Sequence, residues 1–172
     1  LGIISSSPYP LNRDRTAELL GFSGLLRNGR DLTDRDYSLE AASGAAIVMM
    51  HLHKLATDLY EWSTSEFALV RVDDSDAMTS SMMPQKANPV LLEDIRARTA
   101  FAIGDLVSVF AVTKGSAANN IEQTDGDIPA LDAIYRTKAA LSIFAQCLPR
   151  MKFDTQRMKR LVSQHWSQAT AL

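Results

Sequence analysis

Apolar residues recur every three or four positions through three long stretches of the chain, residues 35–63, 89–114 and 129–146. This is the spacing of one face of an α-helix. The repeating positions of the first stretch are Leu39, Ala42, Ala46, Met49, His53, Ala56, Leu59 and Tyr60. Those of the second are Leu92, Ile95, Thr99, Ala102, Ile103, Leu106, Phe110 and Thr113. No stretch alternates polar and apolar residues over strand length, so we predict an all-α fold built as a long-helix bundle.

Residues that begin or end helices stand at the borders of these stretches. Asn88 followed by Pro89 predicts a helix start, with Asn88 as the N-cap and Pro89 in the first helical position. Gly115 is expected to end that helix. Asn12 and Asp154 are expected to cap a short early helix and a final helix. Between residues 116 and 127 we predict a polar link without a helix.

These borders divide the chain into three parts. Residues 1–32 are predicted to form a loop and a short helix. Residues 33–148 form the central helix-bundle segment with a functional loop at 73–88, and residues 149–172 start a further helical region. The chain opens on Leu and stops inside a predicted helix, so we expect a fragment that lacks its N-terminal part.

Composition narrows the class of protein. The 172 residues are 46% apolar and 22% charged with a net charge of −2, which is typical of one globular domain and gives no reason to expect nucleic acid or a membrane surface. The best candidate for a membrane span, residues 101–113, is too short and carries Asp105. The single cysteine, Cys147, has apolar neighbours, which predicts a buried thiol and fits a reducing, cytoplasmic location.

Residues 80–88 combine groups that could bind an anion. Two hydroxyls, Ser80 and Ser81, the ammonium of Lys86 and the amide of Asn88 come directly before a predicted helix N-terminus. Free backbone N–H groups and the helix dipole favour an anion at such a position. This cluster suits a carboxylate or the intermediate formed by removing a proton beside one. Serine pairs and Asn-Pro helix starts also occur without function, so a purely structural interpretation stays open.

Residues 80–89, SSMMPQKANP, are similar to the signature of the fumarase/aspartase superfamily, Ser-Ser-x-Met-Pro-x-Lys-x-Asn-Pro. Gln85 resembles the argininosuccinate lyase branch of that superfamily. Further segments resembling that branch are residues 10–22, 33–36, 49–52, 62–67 and 156–158.

The resemblance implies a mobile catalytic loop with defined roles. Ser80 matches the general base that removes a Cβ proton, and Lys86 and Asn88 match groups that bind the substrate carboxylate and stabilise the resulting intermediate. Glu93 matches a carboxylate that pairs with a catalytic histidine. The resemblance implies neither a cofactor nor a metal ion. The positions that it assigns to substrate binding are Ser81, Asn88 and Gln123.

The resemblance also implies an activity, a carbon–nitrogen lyase that eliminates fumarate from an N-substituted aspartate. Argininosuccinate, cleaved to arginine and fumarate, is the leading substrate, and a homotetramer would assemble each site from several subunits. No segment resembles the upstream motif of the catalytic histidine, so the fragment alone is expected to be inactive. Gly126 replaces a substrate-binding Lys, and Ala118 or Asn119 replaces a Tyr. An aminopolycarboxylate substrate or a non-catalytic, crystallin-like role therefore stays open.

Overall fold

The computed structural model of the chain describes residues 8–26, 35–83, 87–115 and 120–164, and the following account refers to these. Its helices are α1 (Arg13–Leu19), α2 (Asp36–Trp62), α3 (Val90–Thr113), α4 (Asn120–Asp125), α5 (Asp127–Cys147) and α6 (Thr155–Gln164). Its strands are β1 (Val70–Arg71), β2 (Met78–Thr79), β3 (Ala87–Asn88) and β4 (Lys152–Phe153). Short 3-10 turns cover Asp74–Asp76 and Leu148–Arg150.

Helices α2, α3 and α5 pack against one another as a three-helix bundle, which confirms the predicted all-α fold. Helix α3 runs antiparallel to α2 and α5. Two buried hydroxyls fix the helices at close range: Thr99 Oγ1 donates to Met49 O at 3.1 Å, and Thr137 Oγ1 donates to Ala45 O at 3.4 Å. Small residues in the α2 seam allow these approaches, since Ala42, Ala45 and Ala46 are all buried.

The bundle has two ends, which we name by what connects there. At the loop end α2 and α5 end and α3 begins, and at the link end α2 and α5 begin and α3 ends. The larger apolar cluster fills the loop end and the middle of the bundle, and includes Met49, Leu59, Leu92, Ile95, Phe144 and Cys147. A smaller cluster of Ala42, Val109 and Ala130 fills the link end.

One ion pair joins separate elements at each level of the bundle. The middle pair links Arg136 Nε on α5 to Asp105 Oδ2 on α3 at 2.8 Å. The pairs at the link end and the loop end are Arg35–Asp127 and Arg150–Asp76.

Four short strands form two antiparallel ladders of two residues each, which the sequence did not predict. Strand β1 pairs with β4, with Val70 opposite Phe153. Strand β2 pairs with β3, with Met78 opposite Asn88. Two residues are too few to produce a visible alternation of polar and apolar positions.

The helix borders confirm most predictions and correct two. Helix α2 was expected over 35–63 and spans Asp36–Trp62. The prediction that Asn88 caps α3 is wrong, because Asn88 is extended and paired in β3. Pro89 takes the N-cap position without a side-chain bond, so Val90 is the first helical residue. The predicted polar link contains α4. The caps at Asn12 and Asp154 are confirmed: their Oδ1 atoms accept N–H bonds at 2.9 Å and 2.8 Å.

The single cysteine is fully buried, as predicted. Burial raises the pKa of the Cys147 thiol above its usual value. Among the helices in the described part of the chain, none is long and apolar enough to span a bilayer. The division of the chain at residues 33 and 149 stays a prediction.

Candidate active site

The loop that carries the serine pair is closed at its base by the β2–β3 ladder. Thr79 lies opposite Ala87, so Ser80 leaves the end of one strand as the returning strand begins. Strand β3 passes through Pro89 directly into α3. Both arms of the loop therefore lie beside the N-terminus of α3.

Ser80 is half-buried, and its hydroxyl oxygen is the acceptor of two backbone hydrogen bonds. The N–H groups of Met82 and Met83 each donate to Ser80 Oγ at 3.2 Å. Two donors aimed at one oxygen favour negative charge on it, which is what a serine needs in order to act as a base. The sequence showed the serine but not these donors, since they depend on the turn that the loop adopts.

The other residues predicted around the loop occupy the same end of the bundle. Asn88 is half-buried in β3, and Ser81 is exposed. Glu93 is exposed in the first turn of α3, and its N–H donates to Pro89 O at 3.3 Å, so it lies one turn beyond Pro89. Lys86 falls outside the described residues. The pairing of Glu93 with a histidine stays a prediction.

Gln123 lies at the opposite end of the molecule. It belongs to α4, at the link end, and its side chain is outside the described part of the structure. Helix α3 separates the two ends with 24 residues, which corresponds to about 36 Å at about 1.5 Å per residue. One copy of the chain thus brings Ser80, Ser81, Asn88 and Glu93 to one end and leaves Gln123 far from them.

A polar network holds α4 and α5 against the start of α2. The Asp127 carboxylate accepts hydrogen bonds from Arg35 Nη1, Ser38 Oγ and, at 3.3 Å, the Tyr37 hydroxyl. Arg35 Nη2 also donates to Thr124 Oγ1 at 3.2 Å, directly beside Gln123. Sequence reasoning missed this network because Arg35 and Asp127 are 92 positions apart.

A second polar contact lies at the loop end. Arg150 donates from Nε to Asp76 Oδ2 at 2.8 Å and from Nη2 to Asp76 Oδ1. The Asp76 carboxylate raises the pKa of the Arg150 guanidinium. Just before it, hydrogen bonds from the Ser75 hydroxyl and N–H to Asp73 lower the pKa of the Asp73 carboxyl. These contacts shape the turn that leads into β2.

A groove of about 630 Å3 lies beside the arms of the loop. Ala77, Ala87 and Pro89 line it from the arms, and Lys152 and Phe153 line it from β4. Among the described residues, no group of His, Cys, Asp and Glu side chains is arranged to hold a metal ion.

Comparison with known proteins gives the chain a family. A family model described as "Lyase" matches residues 8–104, more than half of the chain. Argininosuccinate lyase of Geobacillus thermodenitrificans is 38% identical over 99% of this chain, and that of Desulfotalea psychrophila is 39% identical over 98%. The chain spans only 38% and 37% of the lengths of these relatives.

Solved structures share the fold. EDDS lyase in complex with formate is 30% identical, with a TM-score of 0.65 over 92% of this chain and 32% of that one. The fumarate lyase:delta crystallin of Brucella melitensis is 21% identical, with a TM-score of 0.75 over 91% of this chain and 36% of that one. The latter match shows the helical fold alone. The family match and the argininosuccinate lyase relatives show that the chain belongs to the lyase family of the fumarase/aspartase superfamily.

Proposed function

We propose that the full-length protein is a carbon–nitrogen lyase that releases fumarate from an N-substituted aspartate by β-elimination. The observation that carries this proposal is the pair of N–H bonds to Ser80 Oγ, from Met82 and Met83. A free serine hydroxyl is a weak base. Donors already in place around the oxygen lower the cost of forming the alkoxide, and they do so without reorganisation during the reaction.

The reaction follows from that base. The Ser80 alkoxide takes a proton from Cβ of the substrate and becomes a hydroxyl. The electron pair left on Cβ delocalises into the neighbouring carboxylate, whose added negative charge Lys86 and Asn88 stabilise. The pair then forms the Cα–Cβ double bond while the Cα–N bond breaks. The nitrogen keeps the bonding electrons and takes up a proton, which gives an amine and fumarate.

Glu93 has a supporting part in this scheme. Its position one turn into α3 leaves the carboxylate exposed beside the loop. We propose that it orients a histidine supplied by another part of the full-length protein, and that this histidine acts in the proton transfers. The substrate would also contact Ser81 and Gln123.

The test is fumarate release by the full-length protein, followed by absorbance against a panel of N-substituted aspartates. For a substrate that is cleaved, Ser80→Ala should lower kcat by about 10²- to 10⁴-fold with a smaller effect on KM. Ser163→Ala, an exposed serine on α6 with its own hydroxyl bond to Lys159 O, is the matched control and should retain activity. Near-normal turnover by Ser80→Ala refutes the role of Ser80. No release from any substrate by the unaltered protein refutes the lyase and favours a non-catalytic, crystallin-like role.

Argininosuccinate is the first substrate to test, because the sequence relatives are argininosuccinate lyases. Gly126 supports a second candidate, an aminopolycarboxylate. It is buried at the N-cap of α5 and offers no cation where argininosuccinate lyases carry Lys. EDDS lyase, at 30% identity, is a relative with that kind of substrate in its name. A comparison of kcat/KM for the two substrates decides between them.

We also propose a homotetramer whose active sites are shared between subunits, in the cytoplasm. The separation of Gln123 from Ser80 by the length of α3 supports shared sites. Large apolar side chains also stay exposed along α3 in the single chain, among them Phe101, Val107 and Phe110. Burial of such a face against another copy would be favourable.

Mixing variants tests the shared site. Ser80→Ala and Gln123→Ala proteins, each impaired alone, should regain activity after they are unfolded and reassembled together, because some sites then carry neither change. Light scattering on the full-length protein should give the mass of four copies. A fully active monomer refutes this part of the proposal.

A further inference from the structure

The turn and strand that precede Ser80 have one buried residue. Within residues 73–83, 87 and 88, the described part of the loop segment, Asp76 alone is buried, at 4% exposure. Met78 and Thr79, which form β2, are both exposed. Burial of apolar side chains therefore does not hold this segment in place, and a carboxylate takes the position that an apolar residue would normally occupy.

Two other features of the segment contribute little to its position. The β2–β3 ladder has only two residue pairs, and an isolated hairpin of that size is marginally stable. On the other side, Ala77 and Ala87 border the groove of about 630 Å3, so within the described part of the chain the arms face open space there. Asp76 is therefore the residue within this segment that can serve as its fixed point.

Arg150 provides that fixed point. Its planar guanidinium binds both oxygens of Asp76, a geometry that sets orientation as well as distance. Arg150 lies in the 3-10 turn that continues α5, next to the buried Cys147 and Met151. Its backbone is thus anchored in the core of the loop end. Because the Asp76 side chain is only 3% exposed, loss of Arg150 would leave a buried charge without its partner.

We propose that Asp76 and Arg150 are a positioning pair for the reaction, which fixes the start of β2 and thereby the place of Ser80 Oγ. This inference rests on the proposed role of Ser80 as the base. Ser80 stands four residues after Asp76, and β2 transmits the position of one to the other. A displacement of a catalytic group by about 1 Å can lower a rate on the order of hundredfold.

Three variants of the full-length protein test the pair. Arg150→Met removes the charge and keeps the length of the side chain, and Arg150→Lys restores the charge without the planar contact. Arg71→Met is the matched control, because Arg71 also pairs with an aspartate of this turn, Asp74, at 3.6 Å, with both side chains exposed at 73% and 81%. The readouts are hydrogen–deuterium exchange over residues 77–83, exchange over α2 and α3, and kcat and KM.

For Arg150→Met we expect exchange over residues 77–83 to rise by about tenfold or more while α2 and α3 exchange as before. We expect kcat to fall by about tenfold to hundredfold with a smaller change in KM. Arg150→Lys should recover part of both, and Arg71→Met should match the unaltered protein.

Two results would overturn the proposal: unchanged exchange and kcat in Arg150→Met, or an equal rise of exchange through all helices, which would mean a general loss of stability. If the unaltered protein cleaves no substrate, the proposed function fails separately. The exchange data then still decide whether Arg150 holds the segment in place. The proposed effect of Arg150 on catalysis is refuted together with the role of Ser80 as the base.

Discussion

Replacement of Asp127 by Asn, at the link end, should lower the stability of the bundle and weaken substrate binding. Asn keeps the shape of Asp but loses the charge, and its NH2 group must face one of the donors that now contact the carboxylate. Arg35 and Ser38 both donate to this carboxylate, and Ser38 is buried at 3% exposure. Substitution therefore leaves a polar group poorly bonded in the interior.

The magnitude follows from those contacts. A hydrogen bond to a charged group contributes about 1.5–3 kcal/mol to stability, and a bond between neutral groups contributes about 0.5–1.5 kcal/mol. Replacing the charged acceptor of two such bonds by a neutral one therefore costs about 2 kcal/mol. The Arg35 and Asp127 side chains are 23% and 29% exposed, and water partly screens the pair. We expect the free energy of unfolding to fall by about 1–2 kcal/mol.

The functional effect should appear in KM. Arg35 also donates to Thr124, next to Gln123, so a displaced Arg35 loosens α4 and the substrate contact proposed there. Urea unfolding and steady-state kinetics of the full-length Asp127→Asn protein measure both effects. Asp132→Asn, an exposed aspartate further along α5, is the control. If Asp127→Asn and Asp132→Asn behave alike in stability and KM, the network supports neither the bundle nor substrate binding.

Three further predictions concern single positions. Ala68 has a φ of 46°, in the left-handed region that glycine adopts freely. Ala68→Gly should therefore raise the free energy of unfolding by about 0.5–1 kcal/mol in urea titrations. A decrease would show that the backbone at Ala68 is not strained. Ile95 is fully buried, and Ile95→Ala should cost about 2–5 kcal/mol in the same measurement, whereas an effect below that of Ile95→Val would argue against a packed core. Burial raises the pKa of the Cys147 thiol, which stays protonated to higher pH than a free cysteine. A thiol reagent at neutral pH should therefore label Cys147 only after denaturation, and rapid labelling of the native protein would refute its burial.

Helices were predictable from sequence because their signals are local and repeated. The three- and four-residue spacing in α2 placed it within one residue at each end, and the side chains of Asn12 and Asp154 marked their caps. The repeat in α3 also included Ile103 and Phe110, which are exposed at 47% and 55%. An apolar pattern does not distinguish burial within one chain from burial against another chain. In a single copy these two residues face outward.

The site was only partly predictable, for a different reason. A serine and an asparagine at the right spacing are visible in a sequence, but the donors to Ser80 are backbone groups that any residue could supply. The strand pairing of Asn88 rests on its opposite partner, Met78, and not on its own identity. Contacts such as Arg150–Asp76 join positions that are distant in the sequence, so no local pattern predicts them.

The three ion pairs of the bundle bear on a problem that its alanine-rich seams create. Alanine side chains are short and alike, so two helices packed through them could slide by one turn, about 5.4 Å, and still bury apolar surface. A slide of α5 against both of its neighbours would break Arg35–Asp127, Arg136–Asp105 and Arg150–Asp76 together, because each pair has one member on α5 or on the turn that continues it. Charged pairs of this kind are best attested as devices that select one alignment among several. In this chain they would make the shifted arrangements costly while adding little to the overall stability, and a change at one member of a pair would call for a matching change at the other.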